Sequence, residues 1–133
     1  IEFNAPHNSI SEKHCLCKGA ACEFEMENNI YIPINMKDGI LYGELNAKNS
    51  DEWNYSLPHG SGRLIKRSEV KNSVTLNMFK KEMDGVFSTS VSKDTLDESP
   101  FAYRRIDEIR EAVSDIVNVK GVLTPVYNFK GGN

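Results

Sequence analysis

The chain has 133 residues, of which 39% are hydrophobic and 26% are charged, and its formal net charge is −3 at pH 7. This length and composition fit one globular domain with a core of its own. The acidic balance excludes a nucleic-acid-binding module that relies on an overall basic excess, so any such contact has to be local. The sequence has no long apolar run, and we expect no membrane partner.

Three cysteines, Cys15, Cys17 and Cys22, lie close together near the N-terminus, and no secretion signal precedes them. An odd cysteine count without a signal peptide favours reduced thiols and a cytoplasmic location. The Cys-x-Cys spacing beside His14 lacks the paired CxxC pattern of a zinc site, which favours buried strand cysteines instead. Because the chain opens at Ile1 without an initiator Met, we expect a further region upstream.

The first part of the chain predicts β-strands. Residues 22–27 alternate apolar and acidic side chains, which is the period of a strand with one exposed face. Asn28 and Asn29 favour a tight turn, after which residues 30–34 form the returning strand of a hairpin. Pro33 places that strand at the edge or end of a sheet.

The second part of the chain predicts helices. Thr75 can cap the N-terminus of a helix whose apolar side chains recur at helical spacing and which ends near Gly85. Ser99 and Pro100 form a helix-start pattern, because proline at the first helical position loses no hydrogen bond. The apolar stripe that follows continues to Ile116.

Two apolar segments complete the predicted elements. Residues 39–43 form a short strand bounded by glycines, followed by a polar surface loop over residues 46–54. Residues 117–129 predict a strand that Pro125 interrupts. The elements together predict one α+β unit, a β-hairpin-rich sheet with two to three helices.

The segment that carries most chemical information is Leu57-Pro58-His59-Gly60-Ser61-Gly62-Arg63. Its glycines let the backbone approach a ligand, while one short loop presents an imidazole and a guanidinium. A neutral imidazole nitrogen is a competent nucleophile toward phosphorus, and the nearby arginine can hold phosphate oxygens bidentately. Taken alone, the loop favours phosphate chemistry and a plain surface turn about equally.

Six separated motifs occur along the chain in a fixed order. They are His7-Asn8, Lys18-Gly19-Ala20, Ile32-Pro33-Ile34-Asn35-Met36-Lys37-Asp38-Gly39, residues 51–55 leading into Pro58-His59-Gly60-Ser61-Gly62-Arg63, Leu96-Asp97-Glu98-Ser99-Pro100-Phe101-Ala102-Tyr103, and Tyr127-Asn128-Phe129-Lys130. Together these motifs resemble the RtcB family of RNA ligases, and specifically its shorter branch. The resemblance implies that residues 1–133 are the C-terminal portion of a ligase domain with the larger RtcB-like fold, whose N-terminal portion is absent from this chain.

The resemblance implies an activity. RtcB-type enzymes are GTP- and Mn²⁺-dependent ligases that join RNA with a 3′-phosphate or 2′,3′-cyclic phosphate to RNA with a 5′-hydroxyl. The histidine of their HGxGR loop attacks the α-phosphate of GTP and carries GMP, which then passes to the RNA 3′-phosphate. The expected partners are therefore tRNA halves or broken RNA, in repair or tRNA splicing.

The resemblance also implies a role for particular residues. His59 matches the histidine that carries GMP, and His7 matches a manganese ligand, in keeping with the preference of borderline divalent metals for imidazole. Asn35 matches a nucleotide contact that is serine in the commoner version of the family. The positions implied in nucleotide or phosphate binding are Asn35, Gly60, Ser61, Gly62, Arg63, Tyr103 and Lys130.

The other metal ligands of the family lie N-terminal to everything in this chain. A site assembled from one half should be strongly impaired, so we expect a fragment that is inactive alone. The alternative is a non-catalytic or degenerate homologue that binds a nucleotide or a partner. A severed fold also predicts an exposed apolar face, to be covered by the missing half or by self-association.

Two charged pairs near these motifs permit more than one interpretation. Lys66 and Arg67 follow the loop and can contact RNA phosphates, although basic pairs more often mark a solvated surface. Asp97 and Glu98 form a carboxylate pair suited to acid–base or metal chemistry. Because they directly precede Ser99, we predict instead that they stabilise the positive end of the following helix.

Overall fold

The computed structural model describes residues 7–10, 16–22, 29–46, 48, 51–54 and 56–131. Within these residues the chain forms small sheets together with short α-helices, which confirms the predicted α+β class. None of the described helices is long and apolar enough to cross a lipid bilayer.

The strands and helices have the following bounds. The strands are β1 (Asn8–Ile10), β2 (Leu16–Lys18), β3 (Ala20–Cys22), β4 (Asn29–Asn35), β5 (Gly39–Leu45), β6 (Ser56–Pro58), β7 (Phe87–Ser88), β8 (Val117–Leu123) and β9 (Tyr127–Asn128). The α-helices are α1 (Arg67–Ser73), α2 (Leu76–Glu82) and α3 (Ile106–Ala112), and two 3₁₀ turns occupy Leu96–Glu98 and Pro100–Ala102.

The largest sheet has three antiparallel strands in the order β4-β5-β8. Ile30, Ile32 and Ile34 alternate along β4 and are buried, whereas Pro33 between them is exposed. Ile109 of α3 belongs to the same hydrophobic cluster. Burying each isoleucine contributes about 1.5–3 kcal/mol, so the alternation of β4 fixes which face of the sheet receives the helix.

The hairpin predicted across Asn28 and Asn29 stays a prediction, because Asn28 and the five residues before it lie outside the described part of the chain. β4 begins at Asn29 and pairs with the following strand β5, so the sheet continues forward along the chain. Of the predicted first strand, Cys22 ends β3, which pairs with β6, while residues 23–27 lie outside the described residues. Among the described strands, β4 lies at the edge of its sheet, as expected from Pro33.

A hairpin turn joins β4 to β5. The Asn35 Oδ1 atom accepts hydrogen bonds from the backbone N–H of Lys37 at 2.9 Å and of Asp38 at 2.8 Å. The side-chain amide of Asn35 also donates to Asp38 Oδ2 at 2.8 Å. Gly39 then has a φ of +82°, which glycine adopts without a steric penalty. These local contacts fix the turn, and with it the register of the sheet.

α1 and α2 pack with the 3₁₀ turns around a second hydrophobic cluster that includes Val70 and Phe79. The predicted cap of α2 is confirmed, because Thr75 Oγ1 accepts a hydrogen bond from Met78 N at 3.2 Å. Gly85, with a φ of +87°, follows the helix where the sequence predicted its end. This cluster holds the segment after His59 against the turns.

The helix predicted to begin at Ser99 begins later. Pro100 opens only a 3₁₀ turn, and α3 starts at Ile106. The Ser99 hydroxyl is buried and makes no capping hydrogen bond, whereas the N–H of Arg105 donates to Glu108 Oε1 at 3.4 Å. Ser99 is therefore packed in the interior and does not cap an α-helix, contrary to the local pattern.

The last predicted strand is present with its break at Pro125. β8 closes the large sheet by pairing with β5, and β9 pairs in parallel with β7. Phe87, Val126, Tyr127 and Phe129 are exposed around this short pair of strands, and the rings of Phe87 and Tyr127 lie 5.7 Å apart. An exposed apolar surface of the expected kind is therefore present, while self-association itself stays a prediction.

The cysteine expectation needs one correction. Cys17 is buried in β2, as predicted for a strand cysteine. It is disulfide-bonded in the structure, however, rather than reduced. Because cysteine count and a missing signal peptide report only on the compartment, they do not decide whether two nearby thiols lie within bonding distance.

The two positive-φ glycines Gly39 and Gly85 form a matched pair for testing the β-turn. A Cβ at Gly39 would lie 2.1 Å from the Leu123 carbonyl oxygen, whereas one at Gly85 would meet nothing within 4 Å. Gly85→Ala should therefore lower the free energy of unfolding by about 1 kcal/mol, because it adds backbone strain but no clash. Gly39→Ala should add a steric clash with β8 and cost about 3 kcal/mol or more. Urea denaturation followed by circular dichroism measures both, and equal losses would show that β5 and β8 are not in contact there.

Candidate nucleotide site

Gly19 brings the two site histidines together. It lies between β2 and β3, and its backbone N–H donates to the His7 carbonyl at 2.8 Å. Its own carbonyl accepts a hydrogen bond from the N–H of His59 at 3.1 Å. The imidazole rings of His7 and His59 consequently lie edge to face, with centroids 5.1 Å apart. Residues 52 positions apart in the sequence are thus neighbours through one glycine.

The glycine-rich loop is fixed to the edge of the large sheet. The Ser61 N–H donates to the Pro33 carbonyl at 3.0 Å, and its hydroxyl donates to the Ile34 carbonyl at 2.7 Å. A Cβ at Gly60 would lie 3.4 Å from the same Pro33 carbonyl, which is closer than most side chains tolerate. Both polar groups of Ser61 are therefore used to anchor the loop, and His59 is presented from a fixed backbone.

Arg63 forms a bridge behind the loop. Its guanidinium donates to the Asp97 carbonyl at 2.7 Å, to Glu98 Oε1 at 2.9 Å and to the Tyr103 hydroxyl at 3.0 Å. The guanidinium carbon also lies 4.7 Å from the centre of the Tyr103 ring, in cation–π range. The backbones of Arg63 and Tyr103 form an antiparallel β-bridge. Arg63 is thus saturated with contacts to the 3₁₀ turns.

Glu98 is the acceptor at the centre of this group. Its Oε2 accepts the Tyr103 hydroxyl at 2.7 Å and lies 3.4 Å from the Lys130 ammonium. Its Oε1 lies 3.2 Å from the guanidinium of Arg67. The predicted role of Asp97 and Glu98 at a helix end is therefore wrong, because the carboxylates bind cations from other segments.

Burial and charge shift two pKa values in this cluster. Burial by itself raises the pKa of Glu98, but the hydrogen bond from Tyr103 and the charges of Lys130 and Arg63 outweigh it, so the pKa is lowered. Burial, followed by the hydrogen bond and charge of Glu98, raises the pKa of Tyr103 to about 12. At neutral pH the pair is a carboxylate and a phenol, which makes the bond charge-assisted.

These residues surround a cavity of about 1150 Å³. Eight of the nine site positions expected from the sequence line it, namely His7, Asn35, His59, Gly60, Ser61, Gly62, Tyr103 and Lys130. Arg63 is the exception, and Arg67 on α1 lines the wall in its place. The volume suits a nucleotide-sized ligand, and the lining combines apolar strand residues with convergent polar groups.

The family model described as tRNA-splicing ligase RtcB matches residues 12–131, which is nearly the whole chain. The chain belongs to the RtcB family. It is 30% identical over 102 residues to the RNA-splicing ligase RtcB of Escherichia coli strain K12, and equally to RNA-splicing ligase RtcB1 of Escherichia coli strain ATCC 25922. The match covers 70% of this chain and 24% of each relative, so the chain spans about a quarter of their length.

Family membership confirms the resemblance that the ordered motifs carried. Asn35 and Ser61, which the resemblance implies in nucleotide binding, use their side chains in hydrogen bonds within the protein. The Asn35 amide is used in the hairpin turn and the Ser61 hydroxyl in the loop anchor. Their remaining contribution to the cavity is shape.

His7 is the described residue that could serve as a ligand for the Mn²⁺ ion implied by the resemblance. His7 Nδ1 lies 3.0 Å from Asn8 Oδ1. If that oxygen accepts, the ring keeps its Nε2 lone pair available for a metal, which is the usual arrangement of an oriented histidine ligand. Among the described residues, however, no three His, Cys, Asp or Glu side chains lie close enough to hold a metal ion. The described part of the chain does not complete a manganese site.

Sequence patterns missed three contributors to the site, namely Gly19, Arg67 and Glu98. Gly19 belonged to a family motif, but no rule of spacing indicates that its peptide joins two histidines. Arg67 was ambiguous because basic pairs usually mark a solvated surface. Glu98 was assigned to a helix end because only its neighbours in sequence were visible, whereas its partner Arg63 lies 35 residues away.

The Tyr103 hydrogen bond predicts a dependence of stability on pH. Tyr103→Phe should lower the free energy of unfolding by about 1–2 kcal/mol at pH 7, because it removes the charge-assisted hydrogen bond from the phenol to Glu98 Oε2. The folded pKa of about 12 lies above that of a free phenol near 10, so the contribution is complete below pH 10 and is lost as pH rises toward 12. The variant and the unmodified chain should therefore converge in stability over that range.

Tyr127→Phe is the matched control for this measurement. Its hydroxyl lies 3.2 Å from Thr89 Oγ1 at an exposed site, so its removal should change the stability by less than about 0.5 kcal/mol. Urea denaturation at several pH values compares the two variants. A loss that is as large at pH 12 as at pH 7 would contradict the assigned hydrogen bond.

Proposed function

We propose that this chain is the C-terminal, nucleotide-binding portion of a cytoplasmic RNA ligase, with GTP as the nucleotide and His59 as the residue that carries GMP. The observation that supports this most directly is the position of His59. It projects from an anchored glycine-rich loop at a nucleotide-sized cavity whose wall also contains the cations Arg67 and Lys130. The family supplies the class of reaction.

In the proposed step an imidazole nitrogen of His59 attacks the α-phosphorus of GTP. The new N–P bond forms as the P–O bond to pyrophosphate breaks, and the imidazole releases its proton. The GMP group then passes from His59 to the 3′-phosphate of an RNA, which breaks the N–P bond and activates that end for joining to a 5′-hydroxyl. Tethering the nucleotide divides a difficult phosphoryl transfer into two easier steps.

The cations of the cavity stabilise the charge that this reaction moves. Arg63, Arg67 and Lys130 outnumber the carboxylates of Asp97 and Glu98 by one, so the cluster keeps a net positive charge. A fixed positive charge at the phosphates lowers the barrier without reorganisation. Because Arg67 lines the cavity and Arg63 does not, we assign the phosphate contact to Arg67 and the support of the wall to Arg63.

The metal and the partners are part of the same proposal. We propose that His7 provides one Mn²⁺ ligand and that the remaining ligands come from outside the described residues. RNA ends, such as tRNA halves or broken RNA, are the proposed substrates. A chain with one ligand of the set is expected to be weakly active or inactive alone, since metal electrostatics contribute strongly to phosphoryl transfer.

The carrier role of His59 can be tested by intact mass spectrometry. The sample is the longest natural polypeptide that contains this chain, incubated with GTP and MnCl₂. We expect one GMP adduct that is labile in acid and stable in base, as a phosphoramidate is, and we expect His59→Ala to abolish it. Folding should be nearly unchanged, because a half-buried loop histidine contributes little packing energy.

His14→Ala is the matched control, since it removes the histidine to which no role in the site is assigned, and it should leave the adduct in place. Tandem mass spectrometry then locates the modified residue. An adduct that persists in His59→Ala, or that maps to another residue, would contradict the proposal. The chain of 133 residues alone is expected to give little or no adduct.

The phosphate role of Arg67 can be tested against Arg104. Both guanidinium groups are about half exposed and pair with carboxylates, but Arg67 lines the cavity and Arg104 pairs with Glu108 beside α3. Arg67→Ala should weaken GTP binding about 10-fold, the effect of losing one charge-assisted phosphate contact of about 1.4 kcal/mol. Arg104→Ala should bind GTP normally. Isothermal titration calorimetry measures both, and equal affinities would remove Arg67 from the phosphate site.

A further inference from the structure

Glu98 contacts groups from four separate parts of the chain. Its two oxygens lie within 2.7–3.4 Å of Arg63 in the loop, Arg67 on α1, Tyr103 after the second 3₁₀ turn, and Lys130 near the C-terminus. The carboxylate side chain is only 12% exposed. One half-buried acid is therefore the point at which these segments meet, next to the cavity that it also lines.

The arrangement answers an electrostatic problem. Three cations held close together repel one another, and each would otherwise turn toward solvent, as long basic side chains normally do. A half-buried carboxylate that accepts hydrogen bonds from several donors holds these donors in fixed positions, and its partial desolvation is offset by the same contacts. Tyr103 is held by the same oxygen that faces Lys130.

The adjacent Asp97 does not duplicate this role. Its Oδ2 atom lies 3.4 Å from Arg67 and 3.7 Å from Arg63, but it is buried and accepts no hydrogen bond from the described residues. Neither Tyr103 nor Lys130 forms a bond or an ion pair with its carboxylate among the contacts of the described chain. Asp97 adds negative charge, whereas Glu98 sets geometry.

We propose that Glu98 is a positioning residue, whose carboxylate holds Arg67, Lys130 and Tyr103 along the wall of the cavity in the places where they receive the nucleotide. Glu98 acts through these side chains and takes no part in bond making. The inference rests on the proposed nucleotide function, and it adds that the binding cations are organised before the ligand arrives. Such preorganisation raises affinity by removing the cost of ordering flexible side chains on binding.

The test compares Glu98→Gln with Glu108→Gln. Both substitutions are isosteric and remove one charge, but Glu108 is an exposed carboxylate that pairs with Arg104 at 3.5 Å. Three quantities are measured in each variant: the urea midpoint, the pKa of Tyr103 by ¹³Cζ NMR of labelled tyrosine, and the affinity for GTP by calorimetry. Tyr103→Phe assigns the Tyr103 resonance.

In Glu98→Gln the pKa of Tyr103 should fall below its value of about 12, because the charge of Glu98 no longer opposes ionisation. GTP affinity should fall about 10-fold while the chain remains folded, corresponding to about 1.4 kcal/mol. Glu98→Asp, which keeps the charge on a shorter side chain, should recover part of the affinity. Glu108→Gln should change neither quantity.

Two outcomes would overturn the positioning role, and they are distinct from a failure of the proposed function. If the pKa of Tyr103 does not move in Glu98→Gln, the carboxylate does not hold the phenol. If it moves but GTP affinity is unchanged, the cluster is structural and does not serve the nucleotide. If the unmodified chain and the longest natural polypeptide both fail to bind GTP, it is the proposed function that fails, and the Tyr103 titration then reports only whether Glu98 holds the phenol.

Discussion

The side chain of Arg63 is only 21% exposed, so its N–H groups need hydrogen-bond acceptors from the protein. Among the described residues these acceptors all lie on residues 97–103. That requirement ties the loop carrying His59 to the two 3₁₀ turns. The turns in turn close the hydrophobic cluster formed with α1 and α2. Removing one partner would leave a half-buried charge uncompensated, which costs more free energy than an exposed ion pair contributes. The position of the loop therefore depends on this contact from one side.

On its other side the loop depends on an edge strand. Proline at position 33 cannot donate to a neighbouring strand, so β4 ends the sheet, and its outward carbonyls are free to accept hydrogen bonds from elsewhere. Ser61 supplies two of these bonds. An edge that would otherwise invite pairing with another chain is thus used to anchor the glycine-rich loop. His59 is held between a sheet edge and a half-buried ion cluster, which gives it the rigidity that the proposed nucleophile would need.

The site is also incomplete in an instructive way. His7 and His59 are brought together by one peptide, and the cations and the phenol are in place around one cavity. The described residues nonetheless contain no group of three His, Cys, Asp or Glu side chains that could hold a divalent metal. The chain spans a quarter of the length of its RNA ligase relatives. The proposed division, with the nucleotide pocket in this chain and most metal ligands elsewhere in the polypeptide, accounts for both observations.

By itself the sequence determined the α+β class, the edge position of β4, the Thr75 cap and the family, because each depends on periodicity, local hydrogen bonding or ordered motifs. It also selected eight residues that line one cavity. It failed where contacts between distant segments decide the outcome: the start of α3 and the partners of Asp97 and Glu98. In each case a local rule named a plausible neighbour in sequence, but burial supplied a stronger partner in space. The sequence pattern placed the Glu98 carboxylate at a helix end. In the structure Glu98 binds two arginines, a lysine and a phenol from four segments, because at a half-buried site nearby opposite charges outweigh the weak field of a helix end.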